Sequence, residues 1–108
     1  MKSLLCKSLG LPDSLVLDDV PDPVPGPGQV LIEMKAAGVN FPDVLVIQGK
    51  YQFKPALPFA PGSELAGVVL AVGEGVRNAK VGDRVIASVS HGAFAEKVVA
   101  QAAQLIPL

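Results

Sequence analysis

Tryptophan is absent from this 108-residue chain, and cysteine, histidine and tyrosine each occur only once. Because one cysteine, Cys6, cannot form an internal disulfide, the sequence favours a reducing compartment, and we expect the cytoplasm. One histidine, His91, supplies too few ligands for a histidine-based metal cluster. The apolar run after Lys2 is interrupted at Lys7, so it is too short for a signal peptide or a membrane-spanning helix.

An excess of charge of either sign is also missing. Nine Lys and Arg residues against ten Asp and Glu residues give a net charge of −1, and the basic residues are scattered along the chain. Proteins that bind nucleic acids or anionic membranes concentrate positive charge, so we expect neither partner. With half of its residues hydrophobic, the chain is large enough to bury one core without disulfides.

Alternation of apolar and polar residues predicts β-strands. In residues 30–36, one face of the predicted strand carries Val30, Ile32, Met34 and Ala36. Residues 65–72 are a continuous apolar run, which predicts a strand buried on both faces. Further strands are predicted at residues 84–89 and 94–100, and weaker ones at residues 2–9 and 15–17.

A single helix is predicted in the middle of the chain. Asn40 is a favourable N-cap, Pro42 suits the first turn, and Asp43 complements the positive end of the helix dipole. Gly49 is expected to stop the helix. Many short strands joined by Gly- and Pro-rich turns, with little helix, predict a compact and mainly β barrel.

Two stretches resemble a known family: GVNFPD at residues 38–43 and PGSELAG at residues 61–67. With VGDRVIASVSHGAFAEKVVA at residues 81–100, their order and spacing resemble the medium-chain dehydrogenases/reductases. Zinc-dependent members have a Cys and a His where this chain has Asn40 and Ser63. Since an amide and a hydroxyl replace those ligands poorly, the chain resembles the zinc-independent, zeta-crystallin-like quinone oxidoreductases, and we expect no metal.

This resemblance implies a GroES-like barrel with one short helix, in which residues 1–108 form the substrate-side, catalytic domain of a medium-chain reductase. It also implies that the Rossmann-type cofactor-binding domain is not in this chain, so the isolated chain is expected to be inactive. The implied cofactor is NADPH, bound mainly by that other domain. Because members of the family tend to dimerise, the full-length protein is expected to be a homodimer.

Catalytic roles are implied for Tyr51, Asn40 and Ser63, and cofactor binding for Asn40 and Asp43. The Asn40 amide would orient the nicotinamide, while Tyr51 and Ser63 would line the oxygen end of the acceptor. Each residue also has a purely structural alternative. Asn40 can be a helix cap, Asp43 a first-turn charge, Tyr51 a packing residue, and Ser63 a hydroxyl satisfied by a local turn.

Glu64 lies in an otherwise apolar stretch. Buried carboxylates are rare unless they are paired, and Arg84 is the most plausible partner. The sequence therefore predicts a structural ion pair between Glu64 and Arg84 beneath the site.

The absence of zinc ligands also limits which acceptors the protein is expected to reduce. Without a Lewis acid, an acceptor that spreads the developing charge is easier to reduce than a plain ketone, which favours quinones and α,β-unsaturated carbonyls. Within enzymes, the alternatives are an enoyl-thioester reductase and a zinc-type alcohol dehydrogenase homologue. Outside enzymes, the chain could be a non-catalytic GroES-like binding or structural module, because fold alone does not fix function.

Overall fold

A computed structural model describes residues 1–108. The chain forms seven strands and one α-helix, together with two single-turn 3-10 helices at Pro12–Ser14 and Ala102–Gln104. The elements in chain order are β1 Lys2–Leu5, β2 Val16–Asp19, β3 Gln29–Ala37, α1 Phe41–Ile47, β4 Glu64–Val72, β5 Arg84–Ser88, β6 Lys97–Gln101 and β7 Leu105–Pro107. The predicted mainly β class with one short helix is confirmed. No helix is long and apolar enough to cross a bilayer.

The strands form two antiparallel sheets. Strands β1 and β2 pair with each other, and the larger sheet has the order β6-β3-β4-β5-β7. Strand β6 begins only at Lys97, three residues later than predicted, and β7 was not predicted. Its Pro107 lacks a backbone donor, which an edge strand tolerates.

Strand β3 follows the predicted alternation only in its first half. Val30 and Ile32 are fully buried, as expected. The pairing with β4 then shifts register between Met34 and Ala36, so Ala37 packs against the core while Ala36 is exposed. The prediction that Ala36 lies on the same face as Val30 and Ile32 is therefore wrong, because an irregularity of this kind moves later side chains to the opposite face.

Strand β4 was predicted to be buried on both faces. One face is buried, through Leu65 and Val69, but Ala66, Val68 and Leu70 on the other face are only half-buried. The buried face belongs to a core of ten residues: Val30, Ile32, Leu65, Val69, Val85, Ala87, Ala93, Val98, Ala100 and Ala102. The expectation of two buried faces is thus wrong for the second face.

A smaller cluster attaches α1 to the rest of the fold. Ile47 of α1 packs with Cys6 and Phe59, and all three side chains are buried. The backbones of Cys6 and Phe59 also exchange two hydrogen bonds, of 2.7 and 3.2 Å. Side-chain packing therefore holds α1 against the segment that follows β1, and backbone pairing joins that segment to the loop that carries Phe59.

Candidate functional site

The site is built around the N-terminus of α1. Asn40 has extended backbone angles (φ −126°, ψ 160°) and precedes the first helical residue, as predicted for an N-cap. The buried Asp43 carboxylate accepts a hydrogen bond from the Asn40 backbone N–H at 2.8 Å. Asp43 thus fills the capping role that its position in the first turn allows, and it fixes the backbone of Asn40.

The other end of α1 also follows the prediction. Gly49 has φ +71°, and its N–H donates to the carbonyl of Val46 at 3.1 Å. The N–H of Lys50 donates to the carbonyl of Leu45 at 2.9 Å. This pair of bonds is a Schellman motif, which satisfies the last carbonyls of the helix and ends it.

The side chain of Asn40 reaches across to the start of β4. Its Nδ2 donates to Oε1 of Glu64 at 3.0 Å. The N–H of Gly38 donates to the backbone carbonyl of Glu64 at 3.1 Å, so the two chain segments are joined twice. A Cβ on Gly38 would lie 2.9 Å from Cδ and Cγ of Glu64 and closer still to Oε1. Only glycine at position 38 leaves room for this carboxylate.

The predicted ion pair between Glu64 and Arg84 is wrong. In the antiparallel register, Glu64 lies opposite Ser88, while Arg84 lies opposite Val68, four residues further along the ladder. Four residues of strand correspond to about 13 Å. Both side chains are exposed, and no ion pair forms between them. The apolar neighbours of Glu64 suggested burial, but its place at the first residue of β4 leaves it in solvent.

Tyr51 and Ser63 are not drawn into this hydrogen-bonded corner. Tyr51 follows α1 in a loop, is 38% exposed and makes no hydrogen bond through its hydroxyl. Ser63 is half-buried, and its backbone carbonyl accepts from the N–H of Val89 at 2.8 Å. The structure thus unites Asn40, Asp43 and Glu64 and leaves the two hydroxyls free of internal partners.

A sequence model described as the alcohol dehydrogenase GroES-like domain matches residues 26–108. The chain belongs to this family. The GroES-like domain is 42% identical over 111 residues to the human synaptic vesicle membrane protein VAT-1 homolog, covering 99% of this chain and 28% of that protein. It is 41% identical to mouse quinone oxidoreductase, covering 100% of this chain and 33% of that protein.

A solved structure of the quinone oxidoreductase from Thermus thermophilus, which was also determined with NADPH, superposes on the GroES-like domain with a TM-score of 0.83. The two are 37% identical, and the match covers 100% of this chain and 32% of that one. The domain therefore spans about a third or less of the length of these relatives. The resemblance to medium-chain reductases predicted from the sequence is confirmed.

The residues at the corner fit one end of a nicotinamide cofactor. Asn40 is exposed, and a side-chain amide can both donate to and accept from a carboxamide. A shallow cleft of about 460 Å³, lined mainly by small and apolar side chains, adjoins Glu64; its walls include Ala36, Ala66 and Ile86. The chain has no comparable site for the phosphates of such a cofactor. Its only α-helix has seven residues, and no glycine-rich loop precedes it.

An aromatic cluster of Phe53, Phe59 and His91 was not predicted from the sequence. The His91 ring lies 5.5 Å from that of Phe53 and 6.0 Å, edge-on, from that of Phe59. Although the His91 side chain is exposed, its partial desolvation lowers the pKa of the imidazole below its usual value. The contact ties the loop that carries Tyr51 and Phe53 to the segment before β6. No local pattern could reveal it, since its members are far apart in the sequence.

Proposed function

We propose that this GroES-like domain is the substrate-side part of an NADPH-dependent, zinc-independent reductase that transfers hydride to quinones or α,β-unsaturated carbonyls. The relatives named quinone oxidoreductase support the reaction class, and the Thermus thermophilus complex supports NADPH. The observation that carries the proposal is the anchored amide of Asn40, held at the surface between Asp43 and Glu64. A cofactor-binding domain outside residues 1–108 completes the enzyme.

The donor set at this corner does not fit zinc. Where zinc-dependent relatives of the family have a thiolate and an imidazole, the chain has Asn40 and Ser63. Cys6 is fully buried beside Ile47 and Phe59, and His91 lies in a separate loop. Three good zinc ligands therefore do not meet at this point of the chain.

Each residue of the domain then has a defined task. Bound NADPH supplies the hydride. Asp43 holds the backbone of Asn40, and the Asn40 amide orients the carboxamide of the nicotinamide. Tyr51 and Ser63 line the oxygen end of the acceptor, where a hydroxyl donates to the oxygen that gains negative charge. Because hydrogen bonds alone stabilise this charge, conjugated acceptors are favoured over simple ketones.

The test is NADPH oxidation by the full-length protein against a panel of quinones and enones, with and without a chelator. Chelator-resistant quinone reduction would support the proposal. Turnover that is lost with chelator and restored by zinc would point to a zinc-type alcohol dehydrogenase homologue. Activity confined to enoyl thioesters would contradict the proposed quinone and enone substrates and indicate an enoyl-thioester reductase. Absence of NADPH-dependent turnover would favour a binding or structural module.

The remaining predictions about the whole protein belong to this proposal as well. A homodimer and a cytoplasmic location are expected of it, and an isolated 108-residue chain is expected to lack turnover. Size-exclusion chromatography with light scattering, cell fractionation and an assay of the isolated domain test these three expectations separately.

A further inference from the structure

We infer that Glu64 is a positioning residue that fixes which end of the Asn40 amide faces a bound nicotinamide. This inference rests on the proposed function, since it concerns how the same site recognises its cofactor. Glu64 was predicted to pair with Arg84, but its carboxylate accepts from Asn40, which lies 24 residues earlier in the chain.

The orientation of the Asn40 amide depends on the chemistry of its hydrogen-bond partner. The nitrogen and oxygen of an amide have nearly the same shape, so the orientation of an asparagine is decided by its hydrogen-bond partners. An ionised carboxylate only accepts hydrogen bonds. Glu64 therefore favours the orientation in which Nδ2 of Asn40 points toward it, at 3.0 Å. The capping box favours the same orientation, because it directs the amide oxygen toward the backbone N–H of Asp43.

Two further contacts hold this arrangement in place. The Asp43 carboxylate fixes the backbone N–H of Asn40 at 2.8 Å, which limits movement of the whole residue. Gly38 gives the Glu64 side chain its position, because a Cβ there would collide with the carboxylate. Asn40 is thus restrained at its backbone by one carboxylate and at its side chain by another.

The consequence is a preference for a donor on the ligand. With Nδ2 directed to Glu64, the amide oxygen of Asn40 faces the backbone N–H of Asp43 in the capping box. Its second lone pair can accept from the NH₂ group of a nicotinamide carboxamide. A reversed amide would direct its own N–H groups at that NH₂ group, and two donors would face each other. Glu64 therefore contributes to cofactor affinity without touching the cofactor.

The decisive variant is Glu64→Lys, because an ammonium only donates and would oppose the amide orientation that the capping box favours. Glu64→Gln has nearly the same shape and permits both orientations. Glu74→Lys is the matched control, since Glu74 is exposed in the turn after β4 and carries the same change of charge. Fluorescence titration of the full-length protein with NADPH gives the dissociation constant for each variant.

We expect Glu64→Lys to weaken NADPH binding by about tenfold relative to Glu74→Lys, as the loss of one good hydrogen bond would do. Glu64→Gln should weaken binding by at most about twofold, because at least half of the amide population keeps the useful orientation. Equal NADPH affinities of Glu64→Lys and Glu74→Lys would overturn the inference.

A second measurement needs no cofactor. The side-chain NH₂ resonances of Asn40, assigned by their loss in Asn40→Ala, should show one N–H protected from solvent exchange by the Glu64 carboxylate. That protection should vanish in Glu64→Lys and persist in Glu74→Lys; the same protection in both would contradict the inference. If the wild-type protein does not bind NADPH, the proposed function fails, even where the resonances confirm the Asn40–Glu64 contact.

Discussion

Gly67 lies in the middle of β4, between Met34 on β3 and Val85 on β5. A Cβ at this position would lie 2.6 Å from Cγ2 of the fully buried Ile32, and closer still to the backbone carbonyl oxygen of Glu33. Neither group can move aside, because one is core and the other is part of the ladder between β3 and β4. The substitution Gly67→Ala must therefore force the two central strands apart.

Overpacking of this kind costs about 1–3 kcal/mol, and each strained ladder hydrogen bond adds about 1 kcal/mol. Because alanine lowers the conformational entropy of the unfolded chain, it offsets about 0.4–1 kcal/mol of this loss of stability. We expect a net loss of about 3 kcal/mol in the free energy of unfolding. For a domain of this size, roughly 4 °C of melting temperature corresponds to 1 kcal/mol, so the melting temperature should fall by about 12 °C.

The matched control is Gly38→Ala. There the colliding group is the end of an exposed and flexible side chain, Glu64, which can rotate into solvent at the loss of one exposed hydrogen bond, worth about 1 kcal/mol or less. Its melting temperature should stay within about 4 °C of wild type. Thermal unfolding followed by circular dichroism measures both variants. Equal melting temperatures for Gly67→Ala and Gly38→Ala would refute the reasoning.

Three other predictions follow from single residues. Tyr51→Phe should lower kcat for quinone reduction by about a hundredfold with little change in NADPH affinity, and wild-type turnover would remove Tyr51 from the mechanism. Partial desolvation lowers the pKa of His91, so the unfolded chain takes up a proton first as the pH falls. The contribution of His91 to the free energy of unfolding should therefore be fully present above about pH 6.5 and should decrease below it. Urea titrations across this pH range should show that the free energy of unfolding depends less on pH in His91→Phe than in the wild-type protein. Burial raises the pKa of the Cys6 thiol, so a thiol-reactive disulfide reagent should modify it slowly in native protein and rapidly in denaturant; fast labelling of the native protein would contradict its burial.

Features that depend on neighbours in the chain were predictable. The start of α1 after Asn40 and its end at Gly49 follow from capping preferences, which act within one turn of helix. The strands at β4 and β5 were located to within one residue, because alternation and flanking glycines are local signals. The edge strand β7 was not predicted, because its three residues are too few to show alternation of apolar and polar side chains.

Features that depend on pairing between distant segments were not predictable in the same way. Ala36 is exposed because the register of β3 against β4 shifts after Met34. The sequence of the strand contains no pattern that predicts this shift. The ring of His91 meets Phe53 and Phe59 only because two loops converge.

The mainly β class and the single capped helix followed from the sequence alone. These conclusions need only residue identity and short-range order. The tertiary structure decided that Glu64 binds Asn40 and not Arg84. Opposite charge favoured Arg84 as the partner of Glu64, but the antiparallel register places Arg84 about 13 Å away along the ladder. The connection between β3 and α1 instead places the amide of Asn40 within hydrogen-bonding distance of Glu64.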